Sequence, residues 1–364
     1  MKILLLGGTG AMGMHLVSLL KEQGNEVTVT SRSKRDDSDG IRYLQGNARS
    51  ISFLREILKS PWDAVVDFMS YGTEEFRERV SLFLRSTKQY VFISSARVYS
   101  ESEGAITEET PRLLDASTDK EYLKTDEYAL AKARQENLLR ESGQNNWTII
   151  RPSITFGENR LQLGCLEKEG WIYRALRGRA IVFSEDIASK LTAMTYGWDV
   201  SRGISAIIGK PEAHGQAFHI TSEEAFLWKD ILDLYLNVWE KCLGFRPKVI
   251  MTKKSSNLKI GKYQVIYCRY FNRRFDNKKI GRFIDVSSFR KTEEGLTHCL
   301  ETFLKDPSFL PINWKLEALN DRASGEWASW NEIPSLKLKL IYWVERLGLS
   351  FALSGLRVIR KIFR

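Results

Sequence analysis

The 364-residue chain is short of cysteine and histidine, with four of each. Cys165, Cys242, Cys268 and Cys299 form no C-x-x-C pair, which excludes a disulfide scaffold and suits a reducing compartment. Low-complexity runs and repeats at solenoid periods are absent, so a stacked-repeat architecture is excluded as well. No stretch reaches the ~20 apolar residues that would span a bilayer. The apolar start covers only residues 3–6 and runs into Gly7-Gly8-Thr9-Gly10 without a small-residue cleavage site. It reads as a buried strand, not a signal peptide, and a cytoplasmic protein is expected. Acidic residues are scarce in one place only. From Phe245 to the end there are 24 Lys+Arg against 11 Asp+Glu, so the net charge of +10 belongs to the C-terminal third. A uniformly basic nucleic-acid binder would spread its excess; this pattern suits an anionic substrate or a membrane surface.

What is present is an ordinary globular composition, 43% hydrophobic and 27% charged. The length suits two domains, or one large domain with an appendage. The first half alternates short apolar strands (2–6, 26–30, 64–68, 90–94, 147–151) with helical spacing (12–23, 52–59, 74–86, 127–142). That alternation predicts an α/β fold, a doubly wound parallel Rossmann sheet covered on both faces. Residues 1–152 form the expected dinucleotide-binding domain. Residues 153–335 form a smaller α/β substrate-binding region, with 192–208 and 216–221 returning toward the sheet and a long helix over 225–243. Residues 336–364 form a basic amphipathic tail.

The strongest motif is Gly7-Gly8-Thr9-Gly10-Ala11-Met12-Gly13, with Gly at i, i+3 and i+6 between a strand and a helix. One glycine permits the tight turn, one lets backbone N–H groups approach a pyrophosphate, and one lets the helix pack closely. At the end of the second strand an acid for a ribose 2′-hydroxyl is missing. Thr30-Ser31-Arg32-Ser33-Lys34-Arg35 stands there instead, and Arg32 could pair with a 2′-phosphate. NADP is therefore expected in preference to NAD.

Tyr128 and Lys132 lie four apart at the start of a helix, so they share a face. A cation nearby makes a phenolate more accessible. The strand end Ser94-Ser95 supplies a hydroxyl for the reacting oxygen. With these parts in order, the chain resembles the extended short-chain dehydrogenase/reductase family, the NAD-dependent epimerase/dehydratase group. The resemblance rests on GGTGAMG at 7–13, FISSARVY at 92–99, YALAK at 128–132 and RPSITFG at 151–157, and extends over about residues 1–305. It is closest to an atypical branch that includes stem-loop-binding proteins. The resemblance implies that Ser95 polarises the substrate oxygen and Tyr128 is the acid/base. It implies that Lys132 lowers the tyrosine pKa and holds the nicotinamide ribose. The cofactor would lie along Gly7, Thr9, Gly10, Ala11, Met12, Gly13, Ser31 and Arg32, with Asn47-Ala48 near adenine and Ser94 and Pro152 toward nicotinamide. Asn47 replaces a commoner Asp.

The same resemblance implies a nucleotide-sugar substrate, surface-polysaccharide sugar synthesis and a homodimer. Ala96 and Arg97 replace the Asp-Glu pair of a dehydratase, and no Cys/His pair for a 3,5-epimerase lies near Ser95. A 4-epimerase and a 4-ketoreductase stay open. The alternatives are a non-catalytic RNA-binding relative and an NADPH reductase of a smaller molecule; a nucleic-acid partner is not favoured. In the tail, Lys and Arg interleave with Leu, Ile, Trp and Phe, which suits peripheral contact with an anionic membrane surface through 336–364 or packing against protein.

Overall fold

The computed structural model describes residues 1–8, 10, 12–37, 40–255 and 261–349. Thr9 and Ala11 of the glycine loop, and the amphipathic pattern from Leu353 onward, lie outside the described residues. The chain forms two compact units interleaved in sequence. One comprises Met1–Arg160, Leu191–Phe226 and Phe271–Cys299; the other comprises Leu161–Lys190, Leu227–Tyr270 and Leu300–Arg364.

The first unit is built on seven strands: β1 (Lys2–Leu6), β2 (Glu26–Ser31), β3 (Ile41–Gln45), β4 (Trp62–Asp67), β5 (Thr87–Ile93), β6 (Trp147–Pro152) and β7 (Gln216–Ile220). Their order is β7-β6-β5-β4-β1-β2-β3, and every pairing is parallel. Ile3, Leu4, Leu5 and Leu6 are all fully buried, as a parallel strand with two covered faces requires. Alternation sends Ile3 and Leu5 into one core and Leu4 and Leu6 into the other. On the first face lies α1 (Gly13–Glu22). On the second face lie α2 (Ile51–Ile57), through Leu54, and α3 (Thr73–Arg85), through Phe76 and Phe83. The helix α4 (Tyr128–Arg140) packs beside α3 and carries the Tyr/Lys pair.

The edge strand β3 was not foreseen; its residues are only half-buried and carry Arg42 and Gln45, so they lack a buried strand's apolar run. Residues 192–208 return to the sheet region as expected, though as a helix packed on the sheet and not as one of its strands. Met194–Tyr196 pairs with Ile154–Phe156 in a separate two-stranded sheet, and Gly197–Ile207 forms α5, packed on α1. Val200, Ile204 and Ile207 recur at helical spacing on its buried face. Gly203 lets that face approach the sheet, since a Cβ there would meet Ile220 Cγ2 at 2.7 Å.

The second unit holds a parallel strand pair, Ile181–Ser184 with Val249–Thr252, and a long helix, Trp228–Leu243, stopped by Gly244 at φ 76°. It also contains α6 (Trp314–Ser324) and α7 (Leu336–Arg346). Arg174 is fully buried here, and its charge is met by Glu317 at 2.7 Å and Asp321 at 2.9 Å. Among the described residues no helix is long and apolar enough to cross a membrane.

Candidate active site

The glycine loop and the head of α1 form a cradle with three distinct backbone demands. Gly7 sits at φ 71°, where only glycine is unstrained, and its N–H donates to Thr30 Oγ1 at 3.1 Å. A Cβ on Gly13 would lie 2.5 Å from the carbonyl carbon of Gly8, so the helix can approach the loop only without a side chain there. Gly10 faces open space, with nothing within 4 Å of where a Cβ would be. At Met12 no side chain caps α1, and its first turn has no acidic residue. The N-terminal partial positive charge and orphan N–H groups are therefore available to an anion. These features fit a dinucleotide pyrophosphate. Met12 is held from the far side, where Ser201 Oγ donates to its carbonyl at 2.7 Å.

Around this cradle the other expected cofactor residues are unequal. Ser31 is buried at the end of β2, and Arg32 immediately after it is exposed. Arg35 instead stacks on Tyr43, and Asp37 accepts from the Tyr43 N–H at 2.7 Å. Asn47 is exposed and turns its Oδ1 to the Arg49 N–H at 3.0 Å, while Ala48 is a core residue. Pro152 ends β6, buried and paired in register with Ile220. Ser94 does not offer a free hydroxyl. It donates to Glu136 Oε1 at 2.7 Å inside the protein.

Ser95 and Tyr128 come together. Ser95 follows β5 in extended backbone beside Tyr128, where its side chain favours the phenolate; its Oγ accepts from the Arg97 N–H at 3.2 Å. Tyr128 opens α4, whose N-cap Glu127 accepts from the Ala129 N–H at 2.8 Å. The Tyr128 ring is 39% exposed while its hydroxyl end is desolvated among protein groups. Burial pushes the phenol above its ordinary value, against the pull of Arg97, Ser95 and Arg160 toward the phenolate. The free enzyme therefore holds a neutral phenol, ready to donate a proton.

Arg97 is a neighbour of Tyr128 that the sequence did not point to. Its guanidinium lies 5.1 Å from the Tyr128 ring centroid and pairs with Glu127 at 2.5 Å. Its only signal in the sequence is a base directly after Ser95-Ala96. Lys132 is buried one turn along α4, with Nζ donating to the Ile93 carbonyl at 2.8 Å and lying 4.5 Å from the Phe92 ring. Burial lowers its pKa to about 8, although Asp67 and Glu136 favour its charge. Asp67, also missed, ends β4 fully buried and accepts from the Tyr90 hydroxyl at 2.7 Å; burial raises it to about 6. Lys132 Nζ is thus bonded at the end of β5, and the cations acting on Tyr128 are Arg97 and Arg160.

A first prediction follows from this geometry. Arg97→Gln removes a cation that favours the phenolate and frees the Glu127 charge that opposes it, so both changes raise the Tyr128 pKa. Where oxidation of an alcohol needs Tyr128 as base, the rising limb of the pH–rate profile moves to higher pH. An unshifted limb would mean Arg97 has no electrostatic influence there.

Residues 3–220 match the model of the NAD dependent epimerase/dehydratase family. The chloroplast stem-loop binding protein of 41 kDa b from Arabidopsis thaliana is 26% identical over 239 residues, 61% of this chain and 59% of that protein. The chain thus spans less than two thirds of that relative's length. Among solved structures, a UDP-glucuronic acid 4-epimerase from Bacillus cereus with UDP-glucuronic acid and NAD has a TM-score of 0.63 at 18% identity. The match covers 84% of this chain and 99% of that one. A dTDP-glucose 4,6-dehydratase from Bacillus anthracis str. Ames with NAD gives 0.62 at 16%, covering 84% and 97%. At these identities the likeness is one of fold.

Proposed function

The chain belongs to the NAD dependent epimerase/dehydratase family, and on that footing we propose that it moves a hydride at a ring carbon of a nucleotide sugar, as a 4-epimerase or 4-ketoreductase. The observation that carries this reading is the Ser95–Tyr128 hydroxyl pair at the head of α4, in the same unit as the glycine cradle. A bound nicotinamide dinucleotide would supply the hydride chemistry. The residues that would hold it are Gly7, Gly10 and Gly13 with the head of α1 at the pyrophosphate, Arg32 at the adenosine ribose and Lys132 at the nicotinamide ribose. Tyr128 gives a proton to, or takes one from, the sugar oxygen. Ser95 hydrogen-bonds the same oxygen and holds it in line. The solved relatives with UDP-glucuronic acid or UDP-glucose make UDP-sugars the first substrates to try. Residues 1–152 would carry the cofactor, and 153–335 the rest of the substrate contacts, in a cytoplasmic enzyme serving polysaccharide synthesis.

The test is purified protein with UDP-sugars and each dinucleotide, followed by NMR of the sugar and nicotinamide absorbance. Epimer without net cofactor turnover marks a 4-epimerase, and stoichiometric NADPH oxidation with a 4-keto sugar marks a reductase. Failure of any dinucleotide to raise the melting temperature would sink the reading. The exposed Arg32, with no carboxylate at residues 31–33, favours NADP(H). Arg32→Glu should weaken NADPH by on the order of tenfold or more and spare NADH, because one charge-assisted phosphate contact is worth about 1.5–3 kcal/mol. Equal losses for both dinucleotides would place Arg32 elsewhere.

Two observations favour a second reading, RNA binding. The Arabidopsis relative is a stem-loop binding protein, and the C-terminal third is strongly basic. Steeply salt-dependent RNA affinity without dinucleotide binding would support it.

A further inference from the structure

The helix α7 has two faces of different character. One packs in the second unit. Tyr342 is buried and donates to Asp321 Oδ2 at 2.7 Å, Leu338 joins the cluster around Trp314, and Glu345 pairs with Lys315 at 3.2 Å. The other face is apolar and open. Leu336 is 79% exposed, Leu340 67%, Trp343 43% and Leu347 48%, at spacings of four, three and four that form one stripe. Two further exposed indoles extend it. Trp327 and Trp330 lie with ring centroids 5.3 and 6.3 Å from Trp343. Monomeric soluble proteins rarely leave so continuous an apolar surface uncovered.

The charges around this stripe identify its occupant. Lys339 Nζ lies 4.6 Å from the Trp330 ring and Arg346 lies 4.4 Å from Trp327, so cations frame the indoles. Residues 336–364 carry seven Lys+Arg and one acid, Glu345, which is already buried against Lys315. The sequence beyond residue 349 continues the composition, with Phe351, Leu353, Leu356, Ile359, Ile362 and Phe363 among four bases and no acid. A second copy meeting this face by a two-fold axis would set bases against bases, because the nearby carboxylates Glu326 and Glu332 are already paired with Arg174, Arg177 and Arg179. An anionic lipid surface answers every feature. Leucines enter the acyl boundary, indoles sit at headgroup level, and lysines and arginines reach lipid phosphate.

We propose that the exposed face of α7, with Trp327 and Trp330, is a monotopic docking surface for an anionic bilayer. The proposal is independent of the catalytic reading, since it uses no residue of the hydride-transfer site. The test is flotation of the full chain with phosphatidylcholine vesicles, and with the same vesicles enriched in phosphatidylglycerol. Binding should require the anionic lipid, weaken as salt rises, and blue-shift the tryptophan emission. Leu336→Glu/Leu340→Glu alters side chains that are 79% and 67% exposed, so the melting temperature should hold while the bound fraction falls about tenfold or more. Three results would overturn the proposal. One is equal flotation of wild type and double variant. Another is loss of flotation only when residues 350–364 are removed. The third is absence of vesicle binding together with a dimer that the double variant dissolves.

Discussion

Tyr128→Phe should lower kcat for the proposed hydride transfer by about 10²–10⁴-fold and leave dinucleotide affinity essentially unchanged. The phenol is the titratable hydroxyl that the fold sets beside Ser95, and burial keeps it neutral in the free enzyme. Phenylalanine keeps the ring beneath Arg97 and the backbone that Glu127 caps, so α4 retains its start. The partly exposed ring also makes a folding defect a poor explanation for lost activity. Lys132→Met is a less clean probe. It deletes the ammonium, strips the Ile93 carbonyl of its donor and leaves Asp67 without its nearby cation. Steady-state kinetics beside calorimetric dinucleotide titration separates the cases. A Tyr128→Phe enzyme within a few-fold of wild-type kcat would remove Tyr128 from the chemistry.

The sheet was legible where local and tertiary demands coincide. Ile3–Leu6 is apolar because both its faces are covered, and Gly7, Gly10 and Gly13 sit where a turn, an open cradle and a close helix need them. Tyr128 and Lys132 were legible because helical spacing fixes a shared face. The site details were not. Spacing cannot say that Ser94 turns to Glu136 while Ser95 turns to Tyr128; strand alternation allows both, and burial decides. Nor does spacing show that Arg97 lies over Tyr128, because their contact joins residues 31 apart in sequence through the loop after β5. β3 escaped because an edge strand half-buried on each face has neither a continuous apolar run nor strict alternation. The chain's crossings between the two units, near residues 161, 191, 227, 271 and 300, carry no shift in composition. They are set by which surfaces pack, a property of the folded chain.

Glu136 is the second position where a single change should have a large effect, this time on stability. It lies fully buried on α4, one turn beyond Lys132, and ties three elements together. Arg151 of β6 grips it in bidentate fashion at 2.9 and 2.6 Å, Arg112 reaches it at 3.3 Å, and Ser94 donates from the end of β5 at 2.7 Å. Burial alone would raise the carboxyl, but Arg151, Ser94 and Arg112 overcome it and hold the pKa below the ordinary value. The stabilisation is therefore complete above the unfolded carboxyl pKa and is lost as pH falls through the lower folded value. Glu136→Gln leaves Arg151 charged and buried without its carboxylate, at a cost of about 3–5 kcal/mol, or a melting temperature lower by on the order of 10 °C at neutral pH. The acid-side loss of stability due to this group should vanish in the same variant. Replacing both partners, Glu136→Leu with Arg151→Met, should cost far less than either single change, because the buried charges leave together and Arg112 keeps Asp115 at 2.7 Å. Thermal melts of the four proteins across acid pH decide the matter. Additive losses in the double variant would mean that Glu136 and Arg151 stabilise the fold separately, and that α4 is held to the strand ends by packing alone.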